Sequence, residues 1–548
     1  MNMTKRPSWL YGLLVGVITA PVLIALLFLG NQLAGFPFIP FDIFDLTGRV
    51  LPGPVVTFGI DSIVGVVTAV GLGGDIDSAA KAAELALAVV IFFGLLVVIS
   101  IAFFVIMNRV KASRSNIPGI VLGLAVGVPM MLISLAINLS ATTSDVLSAV
   151  WILLTFGGWG VMVATIYYTL AAFETAADLN LKTQGLDRRQ FLVRVGGASA
   201  VLTVVGAGLG GLLSAPTNTS QASLTPEGTP DPNAEPLANA NDAVSPAPGT
   251  RAEVTAVEDH YRIDISALPP VIAEEGYTLK IHGAVENPVE WSLADIRAMP
   301  SQEAYLTMAC ISNPVGGSLT SSLKWTGVSF QKILDEIKPT SDAVALKIVG
   351  ADNFDEYVML DLLREDDRAM LAYWWDDQPL PTANGFPLRS HIPDRFGMKQ
   401  PKWITDIEVV TAHEEGYWVR RGWSAEAIAR ATSVVDTVAA EAVFKEGDVW
   451  YVPVGGIAWA GDRGISKVEV RVDGGDWMEA KLRAPLSDRM WTIWRYDWAF
   501  TEGQHKFEVR CMEGDGVTPQ LEGDRPTRPD GATGIDELNE ALAAPPAA

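Results

Sequence analysis

Five stretches of about 20 residues, 9–30, 85–107, 117–137, 150–173 and 195–214, are almost continuously apolar. In lipid every backbone N–H and C=O must be satisfied within the segment, so such stretches fold as bilayer-crossing helices. A sixth stretch, 52–72, is weaker because it carries Asp61, two prolines and several glycines, and an ionised residue at mid-bilayer is costly. Residues 31–81 are therefore expected to form an outside loop with an interfacial or re-entrant helix. Positive charge sets the direction. Lys5 and Arg6 precede the first span, and five spans then put Arg109, Lys111 and Arg114, and also Lys182, Arg188 and Arg189, on the cytoplasmic face. Everything after residue 214 is expected outside the cytoplasmic membrane.

The last span is preceded by a basic motif of its own, Asp187-Arg-Arg-Gln-Phe-Leu-Val-Arg194. It resembles a twin-arginine export signal, with Asp where Ser or Thr is usual. That machinery carries domains that cross already folded. No small-x-small cleavage site follows, so the segment is expected to stay as an anchor.

Charge and cysteine usage narrow the rest. The net charge of −23 falls mostly on the second half, which argues against a nucleic-acid partner. No zinc-type Cys/His spacing occurs, and no Cys-x-x-Cys-His haem attachment site. All five histidines, 260, 282, 391, 413 and 505, follow the apolar half, so that half has none with which to ligate a haem.

The organisation read from the chain is a membrane region over 1–186, the twin-arginine-like motif and fifth span over 187–215, and a disordered linker over 216–250. The linker is rich in Pro, Ala, Asn and Thr and buries too little surface to fold. Residues 251–430 mix strands (277–283, 343–349) with short helices (293–299, 328–337), which is an α+β pattern. Residues 431–520 read as strands and tight turns. Lys467-Val-Glu-Val-Arg-Val472 alternates, then Asp473-Gly474-Gly475 turns, which suggests an immunoglobulin-like β-sandwich. Cys511 alternates with Val509 on the 504–512 strand and is expected as a small buried thiol. Residues 521–548 read as a flexible tail.

The other cysteine, Cys310, lies in a loop with Asn313-Pro314 and Gly316-Gly317. Downstream come Asn384-Gly-Phe-Pro-Leu-Arg389 and Gly397-Met-Lys-Gln-Pro-Lys-Trp403. Arg grips phosphate through a planar fork and Lys acts as a point charge, so these turns suit a phosphorylated heterocycle. A lone thiolate beside them suits a soft metal ligand.

The order and wording of these motifs resemble the sulfite oxidase family of molybdopterin enzymes, which includes periplasmic methionine-sulfoxide reductase catalytic subunits. The resemblance runs from about 257 to 520. It includes Trp325-Thr-Gly327, Leu371-Ala-Tyr373, Gln378-Pro-Leu-Pro381, Lys402-Trp403-Ile404 and Gly456-Ile-Ala-Trp-Ala-Gly-Asp-Arg463. It implies that Cys310 binds molybdenum beside a pterin dithiolene, and that Asn384, Arg389, Gln400, Pro401 and Lys402 hold the pterin and its phosphate. Glu258-Asp-His-Tyr-Arg262 matches the family's N-terminal cofactor segment, with Tyr261 and Arg262 as contacts, and Asp352 is a further candidate. The resemblance implies a small oxo-compound or a sulfoxide- or sulfite-like substrate; sulfite oxidases carry an active-site Tyr where this chain has Phe354 or Asp355, with Tyr357 displaced, which implies that the substrate differs from sulfite. With no haem domain evident, electrons pass to or from a separate carrier, a cytochrome or a quinone. Membrane lipid is the other implied partner, and relatives admit a dimer through the C-terminal sandwich. The competing expectation is a cofactor-free, membrane-tethered binding or scaffold module of the same fold.

Overall fold

The computed structural model describes residues 6–543 apart from 57, 60–61, 63–75, 111–114, 138–140, 142, 179–187, 214–235 and 267. The chain divides into two compact units: Met1–Gly74, Ser78–Ser223 and Asp264–Pro269 in one, Asp75–Asp77, Leu224–Ile263 and Pro270–Ala548 in the other. Each is described by itself.

The first unit is helical. Trp9–Ala34, Lys81–Arg109, Ile117–Ile137 and Asp145–Thr175 are long and apolar enough to cross a membrane. The expected fifth span is helical over Arg188–Leu213, with Arg188, Arg189 and Arg194 in its first turns, and is not among those four. Within the 31–81 stretch an amphipathic helix forms at Ile39–Val50, its buried Asp42 accepting a hydrogen bond from Ser134 Oγ at 2.5 Å. The 63–72 part of the weaker apolar stretch lies outside the described residues, as do Lys5, Lys111, Arg114, Lys182 and Asp187. The long helices are apolar all round: Val90, Val98, Leu132 and Leu154 are exposed, as expected of lipid-facing surface.

Small residues let two of these helices touch backbone to backbone. A Cβ at Gly123 would stand 2.6 Å from the Cα of Gly157, and one at Gly119 would stand 2.7 Å from the Cα of Val161.

The second unit opens with a mixed five-stranded sheet in the order Val289–Ser292, Thr278–Gly283, Ile404–Val410, Ala345–Gly350, Asp355–Met359. Thr278–Gly283 and Ile404–Val410 run parallel. Helices Leu293–Arg297, Phe330–Ile337 and Leu360–Glu365 pack Ile296, Phe330, Ile333 and Leu363 against Leu279, Ile281, Leu346 and Ile407 of this sheet. The helix expected over 328–337 begins at Phe330, because Ser329 caps it by accepting the Gln331 N–H and Val328 belongs to the preceding strand. An antiparallel second sheet joins Ser301–Ala309, Thr320–Ser329, Met370–Trp375 and Gln378–Pro379, with Arg389–His391 pairing Met370–Trp375. This is the expected α+β region.

A two-sheet sandwich follows. Val452, Val454 and Trp494 from one sheet and Val468, Val470, Phe507, Val509 and Cys511 from the other share a core. Cys511 is buried as expected. Its thiol is pushed up to about 12 by burial, and its Sγ lies 3.2 Å from Gln520 Oε1.

Two expectations about the ends of these segments are corrected. The last part of the supposed disordered linker, residues 236–250, is ordered against the sandwich. Arg483 donates to the carbonyls of Asn239 (2.8 Å) and Val244 (3.0 Å) and pairs with Glu253 at 3.2 Å. Hydrogen bonds there replace the apolar surface the composition lacks. The supposed tail contributes a strand, Asp536–Leu542, antiparallel to Gly503–Glu513, and Leu538 and Leu542 pack on the core. The charged residues alternating with those leucines mask the pattern.

Gly123→Leu should separate the two glycine-paired helices. Overpacking of this kind costs about 1–3 kcal/mol, and a fall in the thermal midpoint of detergent-solubilised full-length protein is the expected result. An unchanged midpoint would show that the close approach is not needed.

Candidate cofactor site

Strand Ser301–Ala309 pairs along its whole length with Thr320–Ser329, which carries Met308, Ala309 and then Cys310 to one end of the second sheet. There the chain turns. The Cys310 N–H donates to Leu319 O at 2.9 Å, the Asn313 N–H to Cys310 O at 3.0 Å, and the Leu319 N–H to Asn313 Oδ1 at 2.9 Å. Cys310 is left 6% exposed, with its Sγ accepting the Ser312 N–H at 3.4 Å. Burial pushes the thiol up, while the Ser312 hydrogen bonds and the charge of Lys402 pull it back, with burial the stronger. An environment of this kind protonates an idle thiol and yields a thiolate to a metal.

A second cation, Arg389, is buried near the strand end and is 3% exposed. Its guanidinium carbon lies 5.0 Å from the ring centres of both Trp325 and Trp375. Nη1 donates to Asn384 O at 2.9 Å, and Nη2 lies 3.2 Å from Met308 Sδ, two residues before Cys310. Nε has no partner, and no carboxylate pairs with this cation among the described residues. Burial drags its pKa down to about 10. A buried cation without a counter-ion is expensive, so the surroundings of Arg389 suit an anion.

Other orphaned polar atoms converge on it. The hydroxyl of buried Tyr261 and both ring nitrogens of buried His260 lack partners. His260 stacks on Tyr261 with ring centres 5.0 Å apart and lies 4.3 Å from Trp375. A Cβ on Gly397 would fall 3.0 Å from the Tyr261 hydroxyl and 3.9 Å from Met308 Sδ, so glycine keeps this wall open. Thus Cys310, Tyr261, Asn384 and Arg389 are brought together.

The remaining candidates are differently engaged. Both ends of the Gln400 amide are used, Nε2 donating to Arg395 O at 2.8 Å and Oε1 meeting His391 Nδ1 at 3.3 Å. Gln400 therefore shapes the turn, with one bond at each end of its amide. Pro401 accepts the Ser390 N–H through its carbonyl at 3.0 Å. Lys402 reaches Ala383 O at 3.3 Å and stands 4.3 Å over the Trp403 ring. The Asp352 carboxylate accepts the Phe354 N–H at 3.0 Å, holding a local turn. Arg262 is half-buried beside Tyr261. Phe354 is buried against Tyr417, ring centres 5.7 Å apart, and Tyr357 donates to Glu414 at 2.9 Å. Sequence reasoning missed His260 and Met308. His260 lies inside the matched 258–262 segment, which is the signal that was available; Met308 reads as an ordinary strand residue.

A lone buried thiol at a strand end, with a buried guanidinium and orphaned polar atoms nearby on an α+β scaffold, is a donor set suited to a cofactor with a soft metal and an anionic group. Residues 266–418 match the oxidoreductase molybdopterin binding domain. The chain is 28% identical over 151 residues to a putative protein-methionine-sulfoxide reductase subunit YedZ1 of Azospira oryzae, covering 27% of this chain and 54% of that one. It is 23% identical over 275 residues to a sulfite oxidase of Arabidopsis thaliana (41% and 70%). It is 25% identical over 290 residues to human mitochondrial sulfite oxidase (45% and 53%). The chain thus spans about half the length of two of these relatives. Among solved structures, the sulfane dehydrogenase SoxCD of Paracoccus pantotrophus aligns with TM-score 0.46 and 17% identity, over 54% of this chain and 85% of that one. The domain match and these relatives support reading this part of the protein as a sulfite-oxidase-like, molybdopterin-dependent oxidoreductase domain. The residues present fit such a group: a cysteine for the metal, and unneutralised Arg389 with the orphaned atoms of Tyr261 and His260 for an anionic heterocycle.

Burial, then the charges of Arg389 and Lys402, hold the His260 pKa well below its ordinary 6.5. The unfolded chain therefore takes up a proton that the folded state refuses, so this group's contribution is fully present above pH 6.5 and is lost as pH falls below it. In cofactor-free protein, the thermal midpoint should drop more steeply below pH 6.5 in wild type than in His260→Gln. Equal slopes would remove His260 as the source.

Proposed function

We propose that this protein is a membrane-anchored molybdenum–pterin oxidoreductase acting on the outer face of the cytoplasmic membrane on a sulfoxide, a sulfite-like molecule or another small oxo-compound. The observation that carries this reading is Arg389: a buried cation without a carboxylate, touching Met308 two residues from the thiol of Cys310. When bound, the molybdenum–pterin cofactor supplies the oxygen-atom transfer and two-electron chemistry.

The chain's own residues hold and orient. Cys310 supplies a thiolate to the metal, and the Ser312 N–H, already on its sulfur, steadies that charge. Arg389, Asn384 and Lys402 receive the anionic end of the pterin, Arg389 being held in plane by the Asn384 carbonyl and the two indoles. Tyr261 and Arg262 close the other side, and Asp352 holds the turn leading into Phe354. Phe354 or Asp355, neither carrying a phenol hydroxyl, stands at the position where sulfite oxidases are expected to carry tyrosine. That favours a substrate other than sulfite. The four apolar helices, with the basic residues that open the helix at Arg188, support anchoring and an exported active site, and electrons pass through a separate cytochrome or quinone.

Full-length protein made with functional molybdopterin synthesis should carry stoichiometric molybdenum, and protein made without it should carry none. Cys310→Ser should keep the fold, lose the Mo–thiolate spectroscopic signal and lower activity by more than about 100-fold, since even residues that only support a metal ligand cost 10–100-fold when removed. Metal-free wild type would instead support the scaffold reading, and unchanged activity in Cys310→Ser would remove the thiol from the mechanism.

A further inference from the structure

The cofactor turn contains one more cation than it uses. Lys399 stands immediately before Gln400-Pro401-Lys402, in the short 3-10 turn Gly397–Lys399, where an ammonium would be expected to face an anion. Here the ammonium is taken by an acid of the chain itself. The Lys399 Nζ is buried and donates to Glu356 Oε1 at 2.7 Å, and Glu356 is itself 0% exposed.

Three further features show that this acid is held in place. Oε1 also accepts the Tyr357 N–H at 3.0 Å. Oε2 is buried and has no hydrogen-bond partner among the described residues, so Lys399 is the one cation bonded to this carboxylate there. Residue 416 packs directly on it: a Cβ on Gly416 would lie 2.5 to 2.7 Å from the carboxylate atoms, so any side chain there would displace it. On the same strand, Asp355 pairs with Arg420 at 2.6 Å. The acid therefore joins two walls. One is the turn 397–402, and the other is the strand Asp355–Met359, which follows Phe354, together with the 416–420 segment packed on it.

We propose that Glu356 is a positioning residue for the cofactor: by capturing Lys399 it fixes the 397–402 turn and withdraws a surplus positive charge from the anion pocket. This rests on the molybdopterin reading above. A buried ion pair contributes little net stability, because desolvation offsets its attraction, and apolar replacements are often neutral. Its directional grip is what an apolar pair cannot reproduce. Glu356 holds a residue next to the cofactor contacts and is not placed against the reacting atoms.

The test uses full-length protein from cells with working molybdopterin synthesis, and reads molybdenum per chain, the Mo(V) electron-paramagnetic signal and the thermal midpoint. Glu356→Gln should lower molybdenum content on the order of tenfold and alter the remaining signal, as expected when a supporting residue is lost. Lys399→Arg keeps the pair and should retain loading. The double variant Glu356→Leu/Lys399→Met should recover the thermal midpoint without recovering loading or signal. Recovery of all three would show that the pair is only structural and overturn the proposal, as would wild-type loading and signal in Glu356→Gln. A wild type without molybdenum overturns the functional reading itself, and the wild-type control tells the two failures apart.

Discussion

A guanidinium enclosed by two indole rings, with no carboxylate against it, is the constraint around which the rest of the β-rich unit is arranged. Trp325 and Trp375 are Cα partners across neighbouring antiparallel strands, so pairing register alone puts both rings on one face. The strand Arg389–His391 pairs on the far side of Met370–Trp375 and delivers Arg389 between them. The strand on the opposite flank carries Met308 and ends at Ala309, immediately before Cys310. Sulfur, cation and aromatic walls are thus products of one sheet. A register slip of one residue would turn the Trp325 ring away from Arg389.

Much of this is legible in the chain, but by different routes. The membrane helices follow from length and apolarity, and the buried Cys511 from strand alternation. Cys310 stands out by isolation, yet its role depends on Arg389, which no periodicity identifies. Only the order and wording of the motifs bring the two together. Gln400 also has a local role that motif position does not reveal. Motif position suggests a ligand contact, and Arg395 and His391 each bond one end of its amide. The clasp of Arg483 on residues 239–253 is equally invisible beforehand, since it consists of hydrogen bonds to carbonyls and one acid in a segment without apolar pattern. The Glu356–Lys399 pair joins residues 43 apart that each read as surface charge.

The two units rely on different forces for cohesion. Burial of apolar surface drives the β-rich unit, where Leu279, Phe330 and Ile407 close one core and Trp494, Phe507 and Val509 another. In lipid that driving force is absent between helices, and close approach takes its place. Gly119 and Gly123 against Gly157 and Val161 supply it, with polar links such as Trp159 Nε1 to Thr19 Oγ1 at 3.2 Å.

The strand Asp536–Leu542 has a consequence for how the molecule is made. It pairs with residues 503–509, and Asp536 accepts the Val435 N–H at 2.9 Å, tying the beginning of the sandwich to almost its last residue. Domains ordinarily fold in sequence as they leave the ribosome. Here the second sheet cannot finish until synthesis has passed residue 542. Ala309, Ile311 and Phe396 share a core with Val434, Ile457 and Trp491, so the neighbourhood of Cys310 is completed only once the sandwich's other sheet is in place.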